Sequence, residues 1–293
     1  MFVLIGIVVV FGAVIGGFLM EHGQLMVLVQ PAEYVIILGA ALGTVLIGNP
    51  PAVLKSMLHG LLSILKGDPY TKAQYTNAMV AMYEIFQFIR KNGLAKLEAD
   101  IEAPAESQLF STHPWMLKDA YVLSFVCDTF RMTMTGHVQP FELDQMLDHD
   151  LEVHHHELSV PAHSLQTVSD ALPGLGIVAA VLGVVITMGS LGGPPEEIGH
   201  KVAAALVGTF LGILFCYGVL APIASRIEKS NDSRLEFLRA LKAALVASVK
   251  GSAPILAVEH ARRVIPPHVR PTFVELEAAC KGAGATAKQA EAA

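Results

Sequence analysis

Charged residues are scarce in this chain and are missing altogether from four long stretches of it. Asp, Glu, Lys and Arg make up 16% of its 293 residues, against about 25% in a typical soluble protein. None of them occurs in Met1–Met20, Tyr34–Leu54, Ala171–Pro195 or Val202–Ser225. Each run is at least as long as the roughly 20 apolar residues that cross a bilayer. The sequence therefore predicts four transmembrane helices.

Several other signals are absent as well. The first run lacks a basic leading segment and a convincing cleavage motif, so we expect a retained helix rather than a signal peptide. Cys127, Cys216 and Cys280 are scattered and odd in number, which favours reduced thiols over disulfides. The net charge of −6 gives no indication of nucleic-acid binding. Because no nucleophile elbow, phosphate-binding loop or dinucleotide fingerprint occurs, we do not expect an enzyme.

A histidine run invites a metal-site interpretation. His154, His155 and His156 are consecutive, and His163 follows them. Consecutive histidines do not give the one-face spacing of a helical zinc site, and no cysteine is nearby. We therefore expect a solvated segment rich in acidic residues and histidine, and no metal site.

The distribution of Lys and Arg predicts the orientation of the spans. Glu21–Gln30 contains neither residue, and neither does Gly192–His200, whereas Lys55 and Lys66 follow the second run. Four more basic residues follow the fourth run: Arg226, Lys229, Arg234 and Arg239. Basic residues mark the cytoplasmic side of a membrane protein. The N-terminus, the long middle segment and the C-terminal tail are all predicted to be cytoplasmic.

The rest of the sequence has helical periodicity without strand-like alternation. Pro51–Leu65 has the spacing of an amphipathic helix on the inner membrane face, and Thr71–Lys91 carries a helical apolar stripe. We predict an all-α membrane protein with these segments: a transmembrane hairpin over 1–50, a cytoplasmic helical domain over 51–168, a second hairpin over 169–227 and a helical cytoplasmic tail over 228–293. The end of the tail, Gly282–Ala293, is small and polar, which predicts disorder.

Glycines and prolines mark the spans. Gly12–Gly16, Gly39–Gly43 and Gly208–Gly212 have the spacing that lets helices pack closely, within one chain or between chains. Pro173 lies near the start of the third run, where a first helical turn would tolerate it. Pro222 lies near the end of the fourth run, where it frees the carbonyl four residues before it and is expected to bend the helix.

Acidic residues and histidine are absent from the four runs, although proton relays through membranes normally use them. Thr187, Thr209, Cys216 and Tyr217 are the main polar residues there. A hydroxyl can line a wet path, but it cannot hold and release a proton near neutral pH. If ions cross here, a partner has to supply the ionisable group. Otherwise the Thr209 hydroxyl bonds to a carbonyl one turn back.

Longer motifs resemble a known family. Val168–Ala180 resembles the start of the third transmembrane helix of the MotA family, the A subunits of the bacterial flagellar stator. Val207–Leu214 and Tyr217-Gly218 resemble the fourth helix of that family. Further similar stretches extend the resemblance over nearly the whole chain: Gln30–Glu33, Arg90–Pro104 and Pro271–Leu276.

The resemblance implies a function and a set of partners. Subunits of this family form a ring, a pentamer, around a dimer of a B subunit that supplies an ion-carrying Asp and a peptidoglycan anchor. Ion flow turns the ring, whose cytoplasmic face pushes a rotor protein of the switch complex. By motif match, Arg90 and Glu98 correspond to the charged pair that faces the rotor, and Asn92-Gly93 between them is expected to break the helix. Pro173, Pro222 and Thr209 correspond to the prolines and the hydroxyl beside the ion path.

The residue at position 180 bears on the identity of the ion. Sodium-driven relatives carry a threonine where Ala180 stands, and Gly174–Val185 offers no side-chain oxygen for a sodium shell. A proton needs only a carboxylate and a path for water, so the transported ion is expected to be H⁺. No cofactor is expected.

Two alternative functions stay open. One is a TolQ/ExbB-type energiser of outer-membrane processes, whose members have three spans. The other is a membrane scaffold without ion flux.

Overall fold

The computed structural model describes residues 2–65, 67–136, 138–189, 192 and 194–291, with side chains described as far as Gly282. Over these residues the fold is built from helices and contains no strand. The α-helices are α1 (Phe2–Met20), α2 (Leu25–Leu28), α3 (Pro31–Gly48), α4 (Pro51–Ser63), α5 (Lys72–Asn92), α6 (Glu98–Glu102), α7 (Gln108–Ser111), α8 (Pro114–Lys118), α9 (Ala120–Met134), α10 (Pro140–Met188), α11 (Pro195–Phe215), α12 (Ala221–Val249), α13 (Pro254–Val264) and α14 (Phe273–Glu291).

Four helical stretches in the described part of the chain are long and apolar enough to cross a membrane. They are Phe2–Met20, Leu25–Gly48, Pro140–Met188 and Pro195–Val249. Each contains most of one uncharged run, so the prediction of four spans is confirmed. Many large apolar side chains on these helices are exposed, among them Val35 and Ile186, as expected of surfaces that contact lipid.

The chain forms two compact units. The first consists of Met1–Gly67 and His156–Asn231, and the second of Asp68–His155 and Asp232–Ala293. The second unit therefore combines most of the middle segment with the tail, two parts that the sequence pattern predicts as separate segments. Its core explains the grouping, because α13 and α14 both pack against α5.

In the first unit, α3, α10 and α11 share one apolar core. Ile37 of α3 and Leu172 of α10 are each almost completely buried in it, next to Leu211 of α11. The Phe215 ring lies 6.3 Å from the Phe11 ring and 6.4 Å from the Tyr34 ring, measured between centroids. These aromatic contacts bring α1 and α3 against the end of α11.

The amphipathic helix α4 packs on this unit through one face. Met57 is buried against a second small core that includes Ala162 and Ile227. Leu58 and Leu62 remain exposed on α4. The helix predicted over Pro51–Leu65 is thus present, and its exposed leucines suit the interfacial position that its spacing predicts.

In the second unit, the apolar stripe predicted over Thr71–Lys91 lies at the centre of the core. Met79, Met82 and Ile85 of α5 are completely buried. The Phe237 ring is packed by three other rings, with centroid distances of 5.1 Å to Tyr70, 5.3 Å to Tyr75 and 5.9 Å to Trp115. Edge-on and tilted aromatic pairs of this kind stabilise a core beyond the area they bury.

His154 belongs to a partly buried polar network in the same unit. Its ring stacks on the Tyr121 ring at 3.5 Å between centroids, and Arg234 Nε donates to its Nε2 at 3.2 Å. Arg234 also donates two bonds of 2.9 Å to the Asp119 carboxylate. The prediction of a solvated histidine segment is therefore wrong for His154, because its ring is half-buried against an aromatic neighbour and bonded to Arg234.

The backbone of α14 is helical through Glu291, whereas its composition predicts disorder from Gly282. The segment is rich in Ala and also contains Lys, Gln and Glu, which are all strong helix formers. Small size and polarity therefore do not by themselves distinguish a loose tail from a helix here.

Candidate functional site

Glycines bring α10 and α11 into backbone contact. A Cβ atom on Gly212 would lie 2.5 Å from the Leu172 carbonyl oxygen, and one on Gly176 would lie 2.7 Å from the Gly208 carbonyl oxygen. Real side chains do not approach so closely, so both positions require glycine. By contrast, a Cβ on any glycine of two other pairs would meet no atom of the described residues within 4 Å: Gly12, Gly16, Gly39 and Gly43. Of the three pairs, Gly208–Gly212 is therefore the one whose spacing marks a contact between described helices.

Pro173 lies well inside α10 rather than in a first helical turn. The expectation of a first-turn proline is wrong because the uncharged run is only the last part of a helix that begins at Pro140. Inside a helix, proline has no N–H to donate to the carbonyl four residues earlier. The carbonyl that loses its donor is that of Ser169.

The fourth span changes its helical form just before Pro222. Cys216–Leu220 forms a π-helical turn between α11 and α12, and the Ala221 N–H donates to the Cys216 carbonyl five residues back. Pro222 follows directly and cannot donate to the Gly218 carbonyl. A wider turn of this kind often occurs at functional sites and relieves the loss of a regular bond. The disturbance of the helix that is expected from Pro222 thus coincides with the π-turn Cys216–Leu220.

Ser169 connects the two proline sites. Its Oγ lies 3.2 Å from the Cys216 carbonyl oxygen, to which it can donate, and 3.4 Å from Cys216 Sγ. Ser169 is completely buried. One hydrogen bond therefore joins the turn of α10 that precedes Pro173 to the π-turn that precedes Pro222. Ser169 is not among the residues predicted from the sequence, although its position four residues before a proline is a usable signal.

Thr209 and Ala180 lie at the contact between α10 and α11. A Cβ on Gly176 would lie 3.3 Å from the Thr209 Cα, and a Cβ on Gly208 would lie 3.2 Å from the Ala180 nitrogen. The Thr209 hydroxyl makes no hydrogen bond with any described residue, whereas Thr187 Oγ1 donates to a carbonyl one turn back at 2.8 Å. The Thr209 hydroxyl thus remains available to an ion, a water or a partner.

Tyr217 lies within the π-turn and is 69% exposed, and Pro222 is exposed as well. Neither side chain is buried in the core of the first unit. The residues predicted for the ion path therefore fall on the third and fourth spans. Ala180 and Thr209 lie at the glycine contact, and Pro173, Tyr217 and Pro222 lie at the two proline sites.

Arg90 and Glu98 lie in the second unit on either side of a helix break. Arg90 is in the last turn of α5, which ends before Gly93 with its φ of +83°. A short 3₁₀ turn, Leu94–Leu97, follows, and Glu98 begins α6. Both side chains are exposed, and neither forms an ion pair with another described residue. Gly93 separates the two helical segments, as the pair Asn92-Gly93 suggests from the sequence.

Arg90 borders a surface pocket of about 290 Å³. Its other lining residues are Tyr83, Gln87, Lys91, Ala253, Pro254 and Ile255. The pocket thus combines basic and apolar groups, which suits an acidic side chain next to an apolar one. Glu98 does not line it, so the two charged residues do not share this pocket.

Family models match two parts of the chain. The model described as "Motility protein A N-terminal" matches residues 4–93, and "MotA/TolQ/ExbB proton channel family" matches residues 119–240. The second match contains α10, α11 and the π-turn, and so the whole contact between the two spans.

Known relatives match over almost the full length. Motility protein A of Escherichia coli (strain K12) is 41% identical over 277 residues, which cover 94% of each chain. The chemotaxis protein LafT of Vibrio parahaemolyticus is 37% identical over 93% of this chain and 96% of its own.

Solved structures share the fold. The structure of C. jejuni MotAB gives a TM-score of 0.73 at 16% identity and covers 90% of this chain and 95% of that one. The flagellar MotAB stator complex from Bacillus subtilis gives 0.68 at 23% identity, with 87% and 92% covered. Together with the 41% identity over 94% of the chain, the fold and the two matched family models mean that this chain belongs to the motility protein A family.

Proposed function

We propose that this chain is the A-type subunit of a flagellar motor stator in the bacterial inner membrane. With a B-type partner it conducts protons, and it converts their flow into torque on the rotor. The observation that carries the proposal is the 41% identity to a motility protein A over 94% of both chains. The four spans and the contact between α10 and α11, with Thr209 beside it, are consistent with it.

The partner supplies the central ion-carrying group in this proposal. Between Asp170 and the end of α10, and between Lys201 and the end of α11, the chain has no Asp, Glu, Lys, Arg or His. At the contact between α10 and α11, Thr209 offers a side-chain hydroxyl, whereas Ala180 has no side-chain oxygen. Sodium would need several fixed oxygen ligands, which supports H⁺ as the ion. Each proton releases about 2.3 kcal/mol for every 100 mV across the membrane.

Coupling to movement rests on the two proline sites. Both prolines remove a regular helical hydrogen bond, and Ser169 ties the affected turns together at 3.2 Å. A helix that lacks one bond has a smaller difference in free energy between bent and straight forms. Protonation of the partner's carboxylate beside this region can then shift the population between two forms of the ring.

Reconstitution tests the function. The chain is placed in proteoliposomes with and without a B-type partner, and internal pH is followed after a potassium diffusion potential is applied. Proton uptake should require the partner and should not change when sodium is varied at fixed pH. Uptake that follows sodium would overturn the choice of ion, and no uptake with an assembled partner would favour a scaffold. If expression of the chain in cells restores outer-membrane energisation but not swimming, the TolQ/ExbB-type alternative is favoured.

The proposed orientation of the chain in the membrane rests on the distribution of Lys and Arg. It puts both termini and the second unit in the cytoplasm. We expect single cysteines at Glu21 and Glu196, which are exposed, to react with a membrane-impermeant maleimide added outside intact cells. A cysteine at the exposed Gln108 should react only after the membrane is opened. Gly23 is a poor reporter position, because a Cβ there would lie 2.5 Å from the Phe18 ring.

The native thiols give this labelling experiment a low background. All three cysteines are free and buried. Burial raises the pKa of the Cys127 thiol to about 11 and that of Cys280 to about 12, so little thiolate is present at neutral pH. The unmodified chain is the control, and labelling of Gln108→Cys from outside would contradict the orientation.

Arg90 and Glu98 are proposed to contact the rotor. We expect Arg90→Glu or Glu98→Lys to lower swimming speed to about half or less, because like charges placed opposite each other at an interface cost free energy. The abundance of the variants in the membrane should not change, because both side chains are exposed and neither forms an ion pair with another described residue.

Two exposed residues of the same unit provide controls. Lys118→Glu and Glu106→Lys make the same charge reversals outside the Arg90 pocket and should swim normally. Opposite reversals on the rotor protein should restore part of the speed. Normal swimming by an Arg90→Glu, Glu98→Lys double variant would count against an electrostatic contact.

Association of several copies is part of the proposal. Gly12, Gly16, Gly39 and Gly43 lie on open helix surfaces, where small residues allow another helix to approach. These faces are available to the B-type partner and to neighbouring copies in a ring, for which the family resemblance implies five. Light scattering of the purified complex in detergent measures that number.

A further inference from the structure

Glu33 places a carboxylate inside the second membrane span. It is the third residue of α3, within the apolar stretch Leu25–Gly48, and only 6% of its surface is exposed. In the sequence it comes immediately before the uncharged run Tyr34–Leu54 and therefore lies outside the four runs predicted as spans. The structure instead buries it against the fourth span.

The carboxylate points at the contact between α10 and α11. A Cβ on Gly208 would lie 2.5 Å from Glu33 Oε2, 3.1 Å from the Ala179 Cβ and 3.2 Å from the Ala180 nitrogen. Gly208 therefore leaves the space that the carboxylate occupies. The residues that follow Ala179 and Gly208 are Ala180 and Thr209, the two positions assigned above to the ion path.

Glu33 Oε2 has no hydrogen-bond partner among the described residues. The elements around it carry no compensating charge either. Helix α2 contains no titratable residue, and the last charged residue of α10 is Asp170. In α11 the last charged residue is Lys201, which lies about two turns before Gly208. Its Nζ is 2.8 Å from a carboxylate oxygen of Glu197. Tyr34, the next residue of α3, directs its hydroxyl towards the Leu28 carbonyl at 3.5 Å.

An unpaired carboxylate is an uncommon group in such a place. Burying it in the ionised form is costly, whereas binding a cation removes the charge. Ionisable residues within membrane spans usually mark ion pathways. Sodium does not suit the site, because Gly208, Ala179 and Ala180 contribute no side-chain oxygen to a shell of ligands. A single proton needs only the carboxylate itself.

We propose that Glu33 is a second proton-binding residue of the ion path, supplied by this chain and acting before the partner's carboxylate. This inference rests on the proposed proton transport. A proton entering from the outer side forms an O–H bond at Oε2 and neutralises the carboxylate. That bond breaks when the proton passes to water or to the next acceptor, and the ionised carboxylate returns.

The test uses the complete complex with its B-type partner. Glu33→Gln keeps the shape of the side chain and removes its titration. Proton uptake by proteoliposomes should fall about tenfold, which corresponds to about 1.4 kcal/mol in the barrier, and swimming speed should fall with it. Glu21→Gln, the same change at an exposed residue of the outer connection, should equal the unmodified complex.

A second readout does not depend on transport. Infrared difference spectra of the complex, recorded as pH is varied, should contain a carboxylic-acid C=O band that Glu33→Gln removes and Glu21→Gln does not. If Glu33→Gln fails to assemble, Glu33→Asp takes its place and should show a shifted band and an intermediate rate of uptake.

The outcomes separate the two proposals. If the unmodified complex carries no protons while the band is present and lost in Glu33→Gln, the transport function fails but proton binding at Glu33 stands. If the unmodified complex carries protons and Glu33→Gln carries them equally well at every pH, Glu33 is only a buried packing residue and the inference is overturned. Loss of uptake with no band attributable to Glu33 would also overturn it.

Discussion

Replacing Pro222 with alanine is expected to stop torque generation while the protein remains in the membrane. Alanine restores an N–H that can donate to the Gly218 carbonyl, which favours a regular helix over the π-turn Cys216–Leu220. The bias is of the order of 3 kcal/mol, the usual cost of an interior proline. A bias of that size moves a balanced two-state equilibrium almost entirely to one form. Tethered cells should therefore rotate at less than about a tenth of normal speed.

Pro173→Ala should have the same effect, because it returns a donor to the Ser169 carbonyl. Pro195→Ala is the matched control, since Pro195 is in the first turn of α11, where a missing N–H costs nothing. Abundance in the membrane and co-purification with the B-type partner should be normal for all three variants. If Pro222→Ala or Pro173→Ala fails to insert, that proline is structural and the coupling role assigned to it is wrong.

Replacing Gly212 with alanine is expected to destabilise the first unit strongly, although it adds only one methyl group. The new Cβ would lie 2.5 Å from the Leu172 carbonyl oxygen and 3.0 Å from the Gly176 Cα. Both are backbone atoms, so no side chain can turn aside and the two helices have to separate. Overpacking typically costs about 1–3 kcal/mol, and a clash with two backbone atoms puts this variant at the upper end, about 3 kcal/mol.

Thermal unfolding of the purified complex in detergent measures this effect. Gly6→Ala adds the same methyl group to a span at an exposed position with no described atom within 4 Å, outside the glycine pairs assigned to helix contacts, and its unfolding midpoint should equal that of the unmodified complex. The midpoint of Gly212→Ala should fall by roughly 6 °C or more, at about 2 °C for each kcal/mol. An unchanged midpoint would mean that α10 and α11 are not in backbone contact.

The spans could be predicted from the sequence because a bilayer core excludes charge over a fixed thickness. The start of α10 could not, since a helix that begins at Pro140 in polar sequence and continues through Pro173 has no signal at the membrane boundary. That single misjudged boundary produced the wrong expectation for Pro173.

The grouping of segments into two units could not be predicted either. Helical periodicity identifies the apolar face of α5, but it does not say that α13 and α14 pack on that face. Glu33 was missed for a related reason. A search for uncharged runs ends a span at its first charge, so a buried carboxylate in the first turn of a span is left out of that span.

Among the predicted site residues, sequence reasoning placed the ion-path positions on the third and fourth spans. It could not find the Ser169–Cys216 bond, because the two residues are far apart in the chain and meet only when α10 packs on the fourth span. It did find the break between Arg90 and Glu98, because Asn-Gly is a strong local signal and Gly93 adopts the positive φ that glycine tolerates.

The π-turn also has a consequence for the register of the fourth span. A π-turn contains one residue more than an α-helical turn, and each residue of an α-helix advances the side-chain direction by about 100°. Side chains after Leu220 are therefore rotated by about that angle from the positions that an uninterrupted helix would give them. Leu211, before the turn, packs with Ile37. Ala224 and Ile227, after it, pack with Met57. A single helical wheel drawn through Pro195–Val249 would therefore displace one of these two faces by about 100°.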